Sequence, residues 1–270
     1  MMYEEILNYV GKNLASLHEF PQILCNYYLI LLLTKKDEKY FNKLKQLKAV
    51  NFESLPETDK QNFFIIMANY CREMSLAGKE NFRKERFELD KEYFALIKHI
   101  PQKRHAFFFI TAAKNANRIN EFEWVEKNVK EFELYSLDDN KDYMINYIKA
   151  DTCFYKKEYD DAIFYLSKIK SQYSSQKQNI RNLLFRIYFE TSSFEAALSL
   201  IDTSKHFLKR DRHMVQLSKL SSFNFITLTE KLIYLKLKGN KKEILFLKKK
   251  IAEINEILDK DWLLEKISVQ

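Results

Sequence analysis

ADTCFYKKEYDDA, residues Ala150–Ala162, has two counterparts in the chain that align with it without a gap. They are AKNANRINEFEWV, Ala113–Val125, and FRIYFETSSFEAA, Phe185–Ala197. In each stretch an aromatic stands three positions before a smaller residue: Phe122 before Val125, Tyr159 before Ala162 and Phe194 before Ala197. The aromatics are 37 and 35 residues apart. That period matches one helix pair plus its connections. A helix pair cannot bury both of its faces alone. A small residue at a helix crossing lets the next pair approach, and a large aromatic fills the wedge between pairs.

Outside the aligned stretches the same period of three and four recurs. Phe122, Val125, Val129 and Phe132 form one apolar stripe; Tyr159, Ala162, Ile163 and Leu166 form another; Phe194, Ala197, Leu198 and Ile201 form a third. No stretch sustains the alternation of a half-buried strand. The reading is all-α, with twelve to fourteen helices in six to seven antiparallel hairpins joined by short polar connections. Pro21, Pro56 and Pro101 suit helix starts, where a missing N–H costs little. Asn120 with Glu123 reads as a capping box, and Gly78 and Gly239 as helix ends.

Composition excludes several function classes. The 270 residues include 3 Gly and 3 Pro, and the glycines, Gly11, Gly78 and Gly239, are far apart. A phosphate loop or dinucleotide fingerprint needs clustered glycines, so neither exists here. The nucleophile elbow of hydrolases is excluded for the same reason. His99 and His105 are six apart and His206 and His213 seven, whereas helical metal pairs want three or four; His18 stands alone. Asp138–Asp139 and Asp160–Asp161 are adjacent, as suits helix starts and not two carboxylates facing across a cleft. No catalytic residue, metal site or cofactor is expected, and the chain reads as a non-enzyme.

Cys25, Cys71 and Cys153 are odd in number, widely spaced and set among apolar residues, so buried free thiols are expected. The longest apolar run, Ile23–Leu33, is too short for the roughly 20 residues of a membrane span. The first residues carry Glu4 and Glu5 where a secretory signal would carry bases. A cytoplasmic protein without membrane association is the expectation.

The net charge of +8 is regional: residues 201–250 carry +9, the last 20 carry −3, and the first 200 about +2. Lys209, Arg210, Arg212, Lys241, Lys242, Lys248, Lys249 and Lys250 make up this basic patch, which suits either a solvated face or contact with an acidic partner such as nucleic acid. Ile244, Leu247, Ile251, Ile254 and Leu258 repeat at three and four, suiting a capping helix docked on its neighbours, or a short seam in a weak dimer. Phe107, Phe108 and Phe109 and most other aromatics fall on helical stripes, as inter-helix packing requires.

The period and residue types resemble the tetratricopeptide repeat, most closely in FYKKEYDDAI (Phe154–Ile163). Val125 stands where the repeat has Ala, and Phe185 where it has a small residue. The resemblance covers residues 105–207. With NYCR (Asn69–Arg72) and FLKRDR (Phe207–Arg212), the wider pattern is similar to a group of bacterial helical-repeat proteins without an assigned activity. It implies one repeat domain over 1–270: divergent helix pairs in 1–104, best-matching repeats in 105–207 and basic capping helices in 208–270. It also implies a right-handed superhelix, or solenoid, whose concave face is lined by Lys114, Asn117, Tyr147, Asp151, Asn182 and Arg186. Such a face would hydrogen-bond an extended peptide. Ile110 and Tyr147 depart from the carboxylate clamp of such repeats. The expected function is a monomeric or weakly dimeric scaffold for a protein or peptide, with nucleic-acid binding through residues 201–250 as the alternative. On this reading Arg186→Glu with Asn182→Ala abolishes binding without altering thermal melting.

Overall fold

Fourteen α-helices and one short 3-10 turn, with no strand, make up the described residues of the computed structural model, which are 2–17, 19–97, 105–135, 140–171, 173–238 and 241–268. The helices pack in two units, Met1–Asn115 and Ala116–Gln270.

The first unit contains α1 (Met2–Lys12), α2 (Pro21–Lys35), α3 (Glu38–Asn51), a 3-10 turn (Phe52–Ser54), α4 (Glu57–Leu76), α5 (Asn81–Ile97) and most of α6 (His105–Arg118). Pro21 opens α2, and Pro56 immediately precedes α4; Pro101 lies outside the described residues. The apolar run of α2 packs on α3 and α4, so Cys25, Leu29 and Leu32 are core residues. Aromatics build much of that core. Phe41 stacks on Tyr70 at 5.2 Å and meets Phe82 edge-on at 5.4 Å, and Phe52, Phe63 and Phe64 meet one another edge-on. Two members of the Phe run serve the same purpose: Phe108 lies against Tyr93 and Phe109 against Phe94. Around the rim Lys48 pairs with Glu92, Lys45 with Glu85 and Lys79 with Glu38. Exposed pairs of this kind contribute little stability each.

The second unit contains α7 (Phe122–Tyr135), α8 (Lys141–Lys156), α9 (Tyr159–Ser167), α10 (Ser174–Glu190), α11 (Phe194–Arg210), α12 (Gln216–Lys238), α13 (Lys241–Glu253) and α14 (Lys260–Ser268). Consecutive helices pair, and α8, α10 and α12 also touch in sequence, so the first helix of each pair meets the first helix of the next. The aligned small positions Val125, Ala162 and Ala197, on α7, α9 and α11, are all buried.

The three aligned turns share one geometry. Asn120, Lys157 and Ser192 have φ values of 63°, 65° and 57°, each two residues before the aligned aromatic. In each turn the next residue's N–H bonds back five positions, from Glu121 to Ala116, Glu158 to Cys153 and Ser193 to Tyr188. This is a Schellman ending with a left-handed C′ residue. Gly78, at φ 92°, ends α4 the same way, as expected; Gly239 lies outside the described residues. Asn120 therefore closes α6 and does not open α7 through a capping box, because a positive φ is incompatible with an N-cap. The expected seam of α13 also stops short. Leu247 and Ile251 are buried on it, but the helix ends at Glu253, which leaves Ile254 and Leu258 in the connection to α14.

Candidate functional site

Five of the six residues expected on a concave face are inside the second unit. Asn117, Asp151, Asn182 and Arg186 are at most 1% exposed, and Tyr147 is also buried. Lys114, in the first unit, is half-buried. Polar residues on adjoining first helices do come together, but as an interior network and not as an open wall. The Asn117 amide donates to Asp151 at 2.9 Å and accepts from the Thr152 hydroxyl at 3.2 Å. The Arg186 guanidinium lies 3.5 Å from Asp151 and 4.1 Å above the Phe154 ring. Burial pushes the Tyr147 phenol well above its ordinary value, and the Asp151 charge adds to that.

The connection between α13 and α14 completes this network. Asp259 reaches Arg118 at 3.0 Å and Arg186 at 3.6 Å, and Asp261 lies 3.7 Å from Arg118. Burial alone would lower both guanidinium pKa values. Tyr155, Asp259 and further carboxylates overcome that, so both arginines remain charged above their ordinary range. The segment is held by Leu258 N–H to the Ser221 carbonyl, by Lys260 Nζ to the Ala252 and Ile254 carbonyls, and by Trp262 Nε1 to Glu190. Trp262 packs edge-on against Phe189 at 5.2 Å. Arg118 and Asp259 escaped the sequence reading, because no local periodicity links residues 141 positions apart. Several polar atoms here have no hydrogen-bond partner among the described residues: Arg186 Nε and Nη2, Asn182 Nδ2 and Gln178 Oε1. Buried groups of this kind are the usual anchors of internal water.

The basic patch is largely on the surface. Lys209, Arg210, Arg212, Lys242, Lys248 and Lys249 are exposed and Lys250 is half-buried; the Lys241 side chain lies outside the described residues. On α13, residues 242, 246, 249 and 253 share the side opposite the buried Leu247 and Ile251. Among these lysines stand Leu245, 72% exposed, and Phe246, 70% exposed. Tyr234 and Leu237 are exposed on α12, against which α13 packs. In the sequence the lysines are legible as a patch but the apolar pair between them is not, because composition alone does not say which side of the helix is covered.

Asp160 and Asp161 are in the first turn of α9, as expected of helix-start acids; Asp138–Asp139, His18 and His99 lie outside the described residues. No group of three or more His, Cys, Asp or Glu side chains able to hold a metal ion occurs among the described residues. No described helix is long and apolar enough to cross a membrane. Cys25 and Cys71 are buried free thiols, whereas Cys153 is only half-buried. Burial pushes Cys25 and Cys71 up to about 12 and Cys153 up to about 11. At neutral pH all three are protonated, which is the opposite of an activated nucleophile.

The fold and these surfaces define an all-α protein of sequentially packed helix pairs. Comparison with protein-family models, curated proteins and solved structures finds no match to this chain.

Proposed function

We propose that the chain is a non-enzymatic scaffold of the helical-repeat type, a right-handed superhelix of tetratricopeptide-like hairpins that binds a protein partner. The observation that carries this reading is the α13 face, where Leu245 and Phe246 stand in solvent between Lys242, Lys248 and Lys249. Large apolar side chains grouped on a surface mark an interaction site, and flanking lysines select an acidic partner. The partner that fits is an acidic amphipathic segment, its apolar side on Phe246 and its carboxylates on the lysines. The buried network around Arg186 supports this assignment of the surface, because the residues expected to bind peptide there are engaged within the chain.

Nucleic-acid binding is the second reading, favoured by the +9 charge of residues 201–250. The two readings differ in what they require of α13. Capture from host lysate with nuclease present, using the unmodified chain, Leu245→Ser/Phe246→Ser and Lys248→Glu/Lys249→Glu, separates them. A stoichiometric protein that is lost with either double variant supports the scaffold. Retention of polynucleotide in the absence of nuclease, insensitive to the serine variant and abolished by the glutamate variant, supports the second reading and overturns the first.

A further inference from the structure

Where α11 runs into α12, the surface holds an open cleft of about 610 Å³, separate from the α13 face. Its lining carries Arg210 and Arg212, His206 and His213, the Asp211 carboxylate, and Thr203, whose hydroxyl already donates to the Leu200 carbonyl at 3.0 Å. The Phe207 ring supplies an apolar wall. Two carboxylates bear on it, Asp211 in the lining and Asp202 beside it. Asp202 is 3.8 Å from His206 on the same helix. Asp211 is used by the turn: one carboxylate oxygen accepts the N–H groups of His213 at 2.9 Å and Met214 at 2.7 Å. The Ser174 hydroxyl and these N–H groups hold the Asp211 carboxyl below its ordinary range. Lys219 bonds the Asp211 carbonyl at 2.8 Å, so the backbone that carries Arg212 and His213 is tied down from both ends.

A further cation lies close to Phe207. The Arg181 guanidinium on α10 lies 4.3 Å over the Phe207 ring, and its Nη1 is buried with no hydrogen-bond partner among the described residues. Burial lowers the Arg181 guanidinium pKa, and no neighbouring carboxylate offsets that. Only Nη1 is enclosed, however; the Arg181 side chain as a whole is half-buried and does not line the cleft.

We propose that this cleft binds a phosphate monoester, with Arg210 and Arg212 holding the phosphate oxygens, His206 and His213 supplying further hydrogen bonds, and the organic part of the ester against Phe207. A monoester offers close to two negative charges and three terminal oxygens, matching paired guanidiniums and several more donors. A carboxylate offers one charge and two oxygens. A phosphodiester chain follows an extended cationic stripe and gains less from a closed cluster with one apolar wall.

Calorimetric titration at constant ionic strength tests this with phenyl phosphate, inorganic phosphate, benzoate and a short single-stranded oligonucleotide. A phosphotyrosine peptide and adenosine monophosphate distinguish a protein source of the monoester from a nucleotide one. One-to-one saturable binding of phenyl phosphate is expected, at least about tenfold tighter than benzoate. Arg210→Gln/Arg212→Gln abolishes it with helicity unchanged, and Lys248→Gln/Lys249→Gln leaves it intact. Absence of saturable binding, equal losses in both double variants, or inorganic phosphate or oligonucleotide binding as tightly as phenyl phosphate overturns the proposal. Because the control pair lies on α13, loss of the scaffold reading leaves this result unaffected.

Discussion

Lysine and serine are poor choices for a left-handed backbone, yet Lys157 and Ser192 occupy it at φ 65° and 57°. A non-glycine residue there meets its own carbonyl, at roughly 1–2 kcal/mol. Glycine removes that clash and adds freedom to the unfolded chain, so Lys157→Gly and Ser192→Gly should each stabilise by about 0.5–1 kcal/mol, read from urea midpoints. At the residue scale the sequence was only half legible. The aromatic and small positions of the repeat are plain, but Asn120 reads as the start of a helix. Asparagine serves both as an N-cap and as a left-handed C′ residue, and only φ separates the two. The thiols give a second expectation. Folded Cys25 and Cys71 lie above the ordinary thiol value, so their contribution to stability is complete below that value and is lost as pH rises towards about 12. Tyr28 and Tyr70, raised mainly by burial, act in the same sense. Between about pH 8 and pH 10.5, which spans the ordinary thiol value, the urea midpoint should fall, and Cys25→Ala/Cys71→Ala should show a smaller fall.

Helix by helix, the polar residues on the first helices of consecutive pairs do more for folding than for recognition. Asn117, Asp151, Asn182 and Arg186 read as surface because polarity in a sequence usually means exposure, and the repeat register puts them on the first helices of successive pairs. What periodicity does not reveal is that Asp259, just before α14, reaches Arg186 in this network. With Arg186 buried and paired, Arg186→Glu with Asn182→Ala would place a carboxylate against Asp151 and Asp259, so unchanged melting is not expected of it. Arg186→Ala alone should cost about 3–5 kcal/mol, because two buried carboxylates lose their cation. Adding Asp151→Ala should restore part of that loss, and a double-mutant cycle on urea midpoints measures the coupling. A strictly additive pair would mean that the 3.5 Å contact contributes nothing.

For the whole molecule, α13 is one place where charge and exposed apolar side chains coincide, and composition shows the charge there without its apolar companions. Leu245→Ser with Phe246→Ser exposes no core atom, so thermal melting should stay within about 0.5 kcal/mol of the unmodified chain. A larger drop would mean that these side chains are structural. Unit boundaries were the least legible feature, because helix periodicity runs through α6 without a break at residue 115.

The reach of Asp259 across 141 residues to Arg118 also sets a timetable. A ribosome makes Arg118 and then Arg186 well before the carboxylate they share, an interval on the order of ten seconds at ordinary elongation rates. During that interval both guanidiniums lack it, and the helices that carry them have reason to remain hydrated and loosely docked. Completion of the second unit is therefore expected late in the synthesis of the chain, once the segment that carries Asp259 has left the exit tunnel.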